Sequence, residues 1–325
     1  MFYKSSLLAL ITAVLFRGAL AQQPEAVSSD WVPPQPALAA LSDHPEKVER
    51  VGGLFFGGLT EMRPLIFQYY HLGLLSGESP NATLFLTNPG KEDALIHLRK
   101  GIGKPSLDYF STGHSNNVEW LKSSLGNQGE IVTVKPGETV ELFTQALPKD
   151  HVVSGTLGMT LMRGEPVQFA FVARENLSQP LLLNNLLKEE DVHSRGFYPA
   201  AVQQVNRTYE IGQKPLHIAI GAVRQQTFSG VRELRGDYGV TYRGNLTLIN
   251  STQKEKKVRL TFNPRGGTAT GTFLINDEII EVPQTEAFAL RPFYEETLPP
   301  KSSKVVKFAT IPEGASSYPV RIIVE

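Results

Sequence analysis

Apolar and polar residues alternate in short stretches along most of the chain, and turns that contain proline or glycine separate these stretches. Alternation with a period of two is typical of β-strands that bury one face. In the first half, the alternating stretches are residues 82–87, 94–99, 130–134, 138–144, 152–162 and 166–174. In the second half, they are residues 238–250, 257–262, 270–275, 278–282, 285–291, 304–310 and 318–324. The pattern therefore predicts two runs of short antiparallel strands, the arrangement found in β-sandwiches.

The turn sequences predict which of these strands are neighbours. Asn88-Pro89-Gly90 favours pairing of the two strands on either side of it. Arg163-Gly164-Glu165 likewise predicts a hairpin. Asn276-Asp277 is a two-residue connection with turn-forming side chains, and it predicts a tight hairpin.

The two halves of the chain also resemble each other. Three positions of the first half match three of the second at an offset of 162 residues: Leu84, Leu86 and Asn88 against Leu246, Leu248 and Asn250. Three others match at an offset of 166 residues: Val140, Leu142 and Thr144 against Val306, Phe308 and Thr310. An internal duplication explains this similarity, and chance likeness between amphipathic strands is the alternative. We therefore expect an all-β protein of two tandem Ig-like or fibronectin-like antiparallel β-sandwich domains, at residues 51–175 and 211–325.

The N-terminus has the three parts of a secretory signal. Lys4 provides positive charge, residues 7–16 form an apolar run, and Ala19-Leu20-Ala21 is a small-residue cleavage site. The run is shorter than the roughly 20 apolar residues that span a bilayer. A buried N-terminal helix is the alternative interpretation. We expect a signal peptide at residues 1–21, cleaved after Ala21, and a secreted or periplasmic protein without a transmembrane segment.

Two further segments lack the alternating pattern. Residues 22–50 contain five prolines and predict an extended segment ahead of the first sandwich. Residues 176–210 separate the two halves as a connector. Within this connector, a leucine-rich stretch at 181–187 precedes the charged residues 188–191, which favours a short amphipathic helix.

Composition limits the classes of function. The 325 residues include 32 Lys and Arg against 32 Asp and Glu, so the formal net charge is zero. This balance argues against nucleic acid as a partner, because it provides no general positive field. The absence of cysteine excludes disulfides, thiolate metal sites and a thiol nucleophile. It also favours a bacterial source, since small secreted domains of eukaryotes often depend on disulfides.

Motifs for catalysis and metal binding are missing from the sequence as well. The chain has no Gly-x-Ser-x-Gly elbow, and none of its seven histidines falls in a metal-binding spacing. His114 precedes Ser115, and His193 precedes Ser194, but neighbours in sequence do not form a nucleophile–base pair. We therefore predict no catalytic residue, no metal and no cofactor, and a protein that is not an enzyme.

Residues 99–120 are the best candidate for a binding site. As a predicted loop, this segment is long for a connection between strands, and long loops are often functional. Its candidate ligand-binding residues combine charged, amide and aromatic groups: Arg99, Asp108, Tyr109, Phe110, His114, Asn116 and Trp120. Aromatic faces beside short polar groups are suited to a sugar or a peptide. The alternative is a packed Ω-loop whose aromatic residues cover the edge of the core.

Together these observations predict a non-catalytic exported envelope protein. It would be structural, or a binding module for an envelope protein or a surface glycan. The alternative is a hydrolase that acts on glycans with paired carboxylates, such as Asp108 with Glu119 or Asp237. Such a pair has to lie roughly 5–10 Å apart across the bond to be cleaved.

Five phrases of sequence carry a resemblance to a known group of proteins. They are HLGLLSG at 71–77, GKPSLDYFSTGH at 103–114, VVSGTLGMTL at 152–161, GDYGVTYRGNLTLIN at 236–250 and GASSYPVRIIVE at 314–325. Together they resemble a group of uncharacterised exported bacterial proteins that is best represented in cyanobacteria. The resemblance covers most of the mature chain and implies an envelope location and tandem β-domains. The phrases contain no catalytic motif, so no functional residue is transferred from the group.

Overall fold

The computed structural model describes residues 37–60, 63–77, 80–125, 129–175 and 193–325. Over these residues, 23 strands and a single α-helix form four main sheets and one two-stranded ribbon. The all-β prediction is confirmed, and the antiparallel sheets pack into sandwich-like arrangements. The predicted signal peptide and the predicted helix in the connector lie outside the described residues.

The first sandwich has two sheets. Its elements are β1 (Leu38–Ser42), β2 (Lys47–Val48), β3 (Gly52–Leu59), β4 (Leu65–Gly73), β5 (Asn81–Thr87), β6 (Ala94–Ile102), α1 (Tyr109–Lys122), β7 (Glu130–Val134), β8 (Thr139–Ala146), β9 (Val152–Arg163), β10 (Val167–Arg174) and β11 (Ser194–Tyr198). One sheet has the strand order β11-β1-β4-β9-β6-β7, and β2 also pairs with β4. The other sheet has the order β3-β10-β5-β8.

The core of the first sandwich lies between these two sheets. Aromatic rings from both sheets meet there: the ring centre of Phe67 in β4 lies 5.2 Å from that of Phe55 in β3 and 5.4 Å from that of Phe171 in β10. All three side chains are fully buried. Burial of each such side chain stabilises the fold by about 1.5–3 kcal/mol. The apolar face of each alternating strand therefore holds the two sheets together.

The second sandwich is built in the same way from the remaining strands. They are β12 (Val202–Gln204), β13 (Arg207–Glu210), β14 (Leu216–Ile220), β15 (Gln225–Gln226), β16 (Glu233–Leu234), β17 (Thr241–Asn250), β18 (Lys256–Pro264), β19 (Ala269–Ile275), β20 (Glu278–Thr285), β21 (Arg291–Leu298), β22 (Ser302–Thr310) and β23 (Val320–Val324). One sheet has the order β12-β17-β22-β19-β20, and β13 also pairs with β17. The other has the order β14-β23-β18-β21, while β15 and β16 form the ribbon.

Of the three strand pairings predicted from turn sequences, one is confirmed. β19 and β20 form an antiparallel hairpin, and Asn276 and Asp277 at its tip have φ angles of 47° and 70°. This left-handed conformation is the one that a two-residue hairpin turn requires. The other two pairings are wrong, because β5 and β6 lie in different sheets, as do β9 and β10. Alternation shows which face of a strand is buried but not which strand lies beside it.

The predicted extended segment at 22–50 forms part of a sheet over its described residues. β1 runs parallel to β4 on one side and antiparallel to β11 on the other. Ala40 faces the core of the first sandwich, whereas Ala39 and Leu41 belong to the apolar cluster that continues into the second. β1 is therefore apolar on both faces, and a strand buried on both faces shows no alternation in its sequence.

The predicted loop at 99–120 is wrong, because β6 and α1 account for most of it. Asp108 caps the helix: its carboxylate accepts a hydrogen bond from a backbone N–H of the first turn at 3.1 Å. Such a cap satisfies one of the free N–H groups at a helix start. The residues that α1 buries include the polar Thr112, Asn116 and Asn117. They interrupt the apolar stripe by which an amphipathic helix is recognised in a sequence.

Helix α1 lies at the junction between the two sandwiches. It packs against β6 and β9 of the first and against β19 and β20 of the second. Trp120 and Leu121 of α1 belong to the same apolar cluster as the core of the second sandwich. A side chain at Gly113 would collide with the backbone carbonyl of Gly314, so this glycine allows the helix to approach the second sandwich closely. The two sandwiches therefore share an apolar contact that α1 helps to build.

Candidate functional site

The predicted site residues are spread along the junction rather than gathered at one point. Helix α1 has 14 residues, which corresponds to about 21 Å. Asp108 and Tyr109 mark its start, His114 lies in its middle, and Trp120 lies near its end. Arg99 of β6 stacks over the ring of Trp120, with its guanidinium carbon 4.4 Å from the ring centre. The seven residues therefore do not form a single site.

Their exposure separates residues that can touch a ligand from residues that cannot. Tyr109 is exposed to 51%, whereas Trp120 is buried and Asn116 is fully buried. The amide of Asn116 donates a hydrogen bond to the hydroxyl of Thr156 in β9 at 3.1 Å, which anchors α1 to the first sandwich. Phe110 is half-buried. Of the predicted aromatic residues, Tyr109 is the one that is largely open to solvent.

Tyr109 lies at the edge of a cleft of about 360 Å³ between the sandwiches, which we call the tyrosine cleft. Its lining from the first sandwich comprises Leu41, Asp43, Glu46, Gln68, Tyr69, Tyr70, Tyr109 and Arg195. Its lining from the second sandwich comprises Tyr238 and residues 314–317. The cleft thus brings together residues that are far apart in the sequence.

Close backbone packing fixes the walls of the tyrosine cleft. A Cβ atom at Gly314 would lie 2.5 Å from the ring of Tyr70, so this ring can occupy its place only beside a glycine. Tyr238 donates a hydrogen bond from its hydroxyl to the backbone oxygen of Ser316 at 2.6 Å. Ala315, between Gly314 and Ser316, has a φ of 66°, and this left-handed conformation directs the chain around the two rings. The tyrosine rings are therefore held by the backbone of residues 314–317.

Charged groups form the other wall of the tyrosine cleft. Arg195 of β11 donates from Nε to Oδ1 of Asp43 at 2.7 Å. Partial burial raises the pKa of Glu46, and the negative charge of Asp43 raises it further. Burial and the charge of Glu46 also raise the pKa of Tyr70, so its phenol stays protonated and can donate. The cleft therefore offers carboxylates, hydroxyls and a guanidinium beside aromatic faces.

The carboxylate pairs predicted for a hydrolase do not face one substrate. Asp108 and Glu119 lie at opposite ends of α1, eleven residues apart, which corresponds to about 16 Å along the helix axis. Asp237 is fully buried, and its carboxylate accepts hydrogen bonds from the backbone N–H of Val223 at 3.2 Å and from the hydroxyl of Tyr242. Neither arrangement leaves two carboxylates facing one substrate.

His114 forms an ion pair across the junction instead of facing a ligand. Its Nδ1 lies 3.0 Å from Oε2 of the fully buried Glu313, and its Nε2 lies 2.8 Å from Oε2 of Glu281. Burial lowers the pKa of His114, but the hydrogen bonds and charges of the two carboxylates outweigh it and raise the pKa to about 9. The imidazolium therefore ties α1 to the second sandwich at neutral pH.

Two further properties concern the described part of the chain. No group of three or more His, Cys, Asp or Glu side chains there is placed so that it could hold a metal ion. No helix there has the length and apolar character needed to cross a membrane.

No protein-family model and no curated protein matches the chain. Among solved structures, it is similar to the PBSX exported protein XepA, with 13% identity over 85% of this chain and 86% of that chain, at a TM-score of 0.18. It is similar to tripeptidyl peptidase 2, with 9% identity over 88% of this chain and 24% of that chain, at a TM-score of 0.21. It is also similar to dimeric latent PorU from Porphyromonas gingivalis, with 7% identity over 93% of this chain and 21% of that chain, at a TM-score of 0.18. Likeness at such low scores assigns neither a fold family nor a function.

Proposed function

We propose that the chain is a non-catalytic exported envelope protein whose tyrosine cleft binds a surface glycan. The observation that carries this proposal is that Tyr70, Tyr109 and Tyr238 line one open cleft together with the ion pair of Asp43 and Arg195. Aromatic rings pack against the apolar face of a sugar ring. Carboxylate and guanidinium groups accept and donate hydrogen bonds, and so they orient its hydroxyl groups.

The size of the tyrosine cleft favours a glycan over an envelope protein. Its volume of about 360 Å³ lies in the range of about 300–1,000 Å³ that is usual for small-molecule sites. A stable interface with a protein buries about 800 Å² on each partner, which is more than a cleft of this kind provides. An envelope protein is the alternative partner.

A binding experiment on Tyr109 tests the proposal. Glycan arrays with the wild-type protein identify a ligand, and calorimetry then gives its Kd for Tyr109→Ala. Truncation of an exposed aromatic anchor costs about 1 kcal/mol or more, which is a loss of fivefold or more. The control is Phe288→Ala, because Phe288 is exposed to 63% in the second sandwich but does not line the cleft. Equal affinity of Tyr109→Ala and wild type would contradict the proposal, and so would unfolding of the variant.

A hydrolase that acts on glycans is the second candidate, and one observation favours it. Glu46 has a raised pKa beside Asp43 in the same cleft, and a perturbed carboxyl in a cleft is a candidate acid. This activity would be supported if the wild-type protein releases reducing sugar from the bound glycan and the Glu46→Gln variant does not. If a glycan binds but no reducing sugar is released over several hours, the function is binding and not hydrolysis.

We also propose export through the predicted signal peptide at residues 1–21. The support is the positive charge, apolar run and cleavage site of the sequence. Mass spectrometry of the protein recovered from the periplasm or medium should give an N-terminus at Gln22. An intact Met1 on protein recovered from the cytosol would contradict export.

We further propose that the two sandwiches are tandem copies of one domain. Asn88 and Asn250 support this, because Asn88 directly follows β5, Asn250 is the last residue of β17, and the two side chains make three corresponding hydrogen bonds. Each donates from its amide to the carbonyl of the residue four positions later, at 2.8 and 2.9 Å, and accepts from the backbone N–H two positions later. Each also donates to the last residue of a strand, Val134 at 2.8 Å and Leu298 at 3.0 Å.

The strand pairings around these asparagines support the same proposal. β5 pairs with β8 as β17 pairs with β22, and β6 pairs with β7 and β9 as β18 pairs with β21 and β23. Helix α1 lies between β6 and β7, and the hairpin β19–β20 occupies the equivalent place between β18 and β21. These two insertions pack against each other at the junction.

A further inference from the structure

A second cavity lies at the junction near the C-terminal end of α1, and we call it the arginine crevice. It has a volume of about 110 Å³ and is lined by both sandwiches. Its polar lining comprises His97, Arg99, Ser124, Thr160, Thr241 and Arg243. Trp120 and aliphatic residues form most of the remaining wall, and no acidic side chain is among the described residues that line it. The crevice is therefore a small, positively charged space with partly apolar walls.

Arg99 is held in place at this crevice but is not neutralised there. Its guanidinium stacks over Trp120, and its Nη2 donates a hydrogen bond to the hydroxyl of Ser124 at 3.1 Å. Its Nε is buried and has no hydrogen-bond acceptor among the residues that the structure describes. The charged group that acts on Arg99 is another cation, Arg243 of β17. A fixed guanidinium with a buried free donor is ready to bind an anion.

Arg243 and Thr241 add a second charge and a second donor from the other sandwich. Burial and the positive charge of Arg243 lower the pKa of Arg99 to about 10, so Arg99 is protonated at neutral pH. The hydroxyl of Thr241 is buried and lacks a hydrogen-bond partner among the described residues. Buried polar groups without partners are rare in folded proteins, and a bound ion or ligand is one explanation for them. Two of them line this one crevice.

A wider groove opens beside the arginine crevice. It has a volume of about 230 Å³ and shares Arg243, Leu274 and Ala309 with the crevice. Four amide side chains contribute to its lining, together with the charged Asp277 and Lys307: Gln204, Asn206, Asn245 and Asn276. Amide groups both donate and accept hydrogen bonds, and so they suit the hydroxyl groups of a sugar ring. The groove could hold the body of a ligand whose charged group enters the crevice.

We propose that the arginine crevice binds the carboxylate of an acidic sugar, a uronate, whose ring lies in the adjoining amide-lined groove. The planar fork of Arg99 matches a carboxylate, which accepts two parallel hydrogen bonds from a guanidinium. The Thr241 hydroxyl can donate to a carboxylate oxygen. The negative charge of the ligand then balances the charge of Arg99. This site is separate from the tyrosine cleft, and its test does not depend on that cleft.

The experiment uses the full mature chain with glucuronate as the probe and with glucose and phosphate as comparisons. Glucuronate at ten times its Kd should raise Tm by about 3 °C, and glucose should leave Tm unchanged. Calorimetry on Arg99→Lys, which keeps the charge but loses the fork, should give a Kd about tenfold weaker. Thr241→Val, which keeps the shape but loses the hydroxyl, should weaken binding about threefold to tenfold.

Arg265→Lys is the matched control. Arg265 also lies over an aromatic ring, with its guanidinium carbon 4.8 Å from the ring centre of Phe288, but it does not line the crevice. Its glucuronate affinity should equal that of the wild type. Absence of glucuronate binding, binding of phosphate in its place, or an equal loss in Arg265→Lys would overturn the proposal. If Arg99→Lys fails to fold, the test rests on Thr241→Val. Unchanged glucuronate affinity in Thr241→Val would then overturn the proposal.

Discussion

The Nδ1 atom of His114 lies 3.0 Å from Oε2 of Glu313, and this pair joins the helix of the first sandwich to the second sandwich. Glu313 is fully buried and accepts hydrogen bonds from the hydroxyls of Thr270 and Thr272 as well. Glu281 contacts the other nitrogen of the imidazole from the surface. A buried carboxylate of this kind requires a positive partner, since an unpaired buried charge is costly. The protonation of His114 is therefore coupled to the stability of the junction.

Stability should fall at alkaline pH because of this pair. The pKa of His114 rises from 6.5 in the unfolded chain to about 9 in the folded protein. A group whose pKa is raised on folding stabilises the protein fully below its unfolded pKa, and this contribution is lost as the pH rises through its folded pKa. We expect a loss between about pH 6.5 and 9, and solvent screening at the partly exposed imidazole limits it to about 1–2 kcal/mol.

Urea unfolding at pH 6 and pH 9.5 measures this loss. His114→Gln keeps a hydrogen-bonding side chain but does not titrate, so the difference between the two pH values should shrink in this variant. Identical pH dependence in His114→Gln and wild type would show that another group controls stability in this range.

The two carboxylates around His114 should differ in their effect on stability. Glu313 is fully buried, whereas the side chain of Glu281 is 57% exposed. Removal of one member of a buried pair costs about 3 kcal/mol or more, while an exposed pair contributes about 1 kcal/mol or less. Glu313→Gln should therefore destabilise the protein strongly and Glu281→Gln slightly, as measured by urea unfolding at pH 6. Similar values for the two variants would refute the assignment of Glu313 as the main partner.

Gly113 offers a test of the contact between α1 and the second sandwich. In an isolated helix, Gly→Ala stabilises by about 1 kcal/mol, but a Cβ at this position collides with the carbonyl of Gly314. Gly113→Ala should therefore lower Tm, against the helix propensity of alanine. Gly58→Ala is the control, because a Cβ at Gly58 meets nothing closer than 3.5 Å. A higher Tm for Gly113→Ala would mean that the helix does not pack as described.

The sequence could predict where most strands lie. A strand that buries one face has apolar and polar residues in alternation, and this pattern is visible in the sequence. It was harder to predict which strands pair with each other. Asn276 and Asp277 identify their hairpin, since two-residue turns of this conformation join neighbouring strands. Arg163-Gly164-Glu165 instead connects β9 to β10 in the opposite sheet. The longer connection carries no information on whether the chain turns within a sheet or crosses the core.

The helix and the tyrosine cleft show why most of the candidate site could not be predicted from the sequence. Asn116 and Asn117 can be buried in α1 because their amides are hydrogen-bonded. Asn116 donates to Thr156 of the first sandwich at 3.1 Å, and Asn117 donates across the junction to the backbone oxygen of Ile311 at 2.7 Å. The partner of Asn117 lies 194 positions away in the sequence. Tyr109 could be singled out as an aromatic residue in a polar segment. Its neighbours Tyr70 and Tyr238 could not, because packing between the sandwiches brings them to the cleft.

Leu86 and Leu248 test the two cores separately. Both are fully buried, one in each sandwich. Each Leu→Ala change should cost about 2–5 kcal/mol, because it removes apolar contacts and leaves a cavity. Val305→Ala on β22 is the control, since Val305 is 50% exposed and surface changes usually stay within about 0.5 kcal/mol. Denaturant unfolding measures all three, and a loss below about 1 kcal/mol at either leucine would contradict its placement.

Asn88 and Asn250 should be equally important, each in its own sandwich. Each amide donates to a backbone carbonyl four positions later and to the carbonyl of the last residue of a strand, at 2.8 to 3.0 Å. Asn250 also donates to the carbonyl of Pro299 at 2.9 Å. Both side chains are fully buried, and leaving their backbone partners unsatisfied costs about 1–3 kcal/mol for each asparagine. Asn88→Ala and Asn250→Ala should therefore each destabilise by this amount in urea unfolding.

The double variant Asn88→Ala, Asn250→Ala extends this test to the relation between the two asparagines. They share no hydrogen-bond partner, and changes at distant, independent sites add within about 0.5 kcal/mol. The loss in the double variant should therefore equal the sum of the single losses. Asn88→Asp is the control for shape, since it keeps the acceptor but loses the amide donors, and it should be as harmful as alanine. A large loss at one asparagine with none at the other would contradict the view that both sandwiches use this residue in the same way.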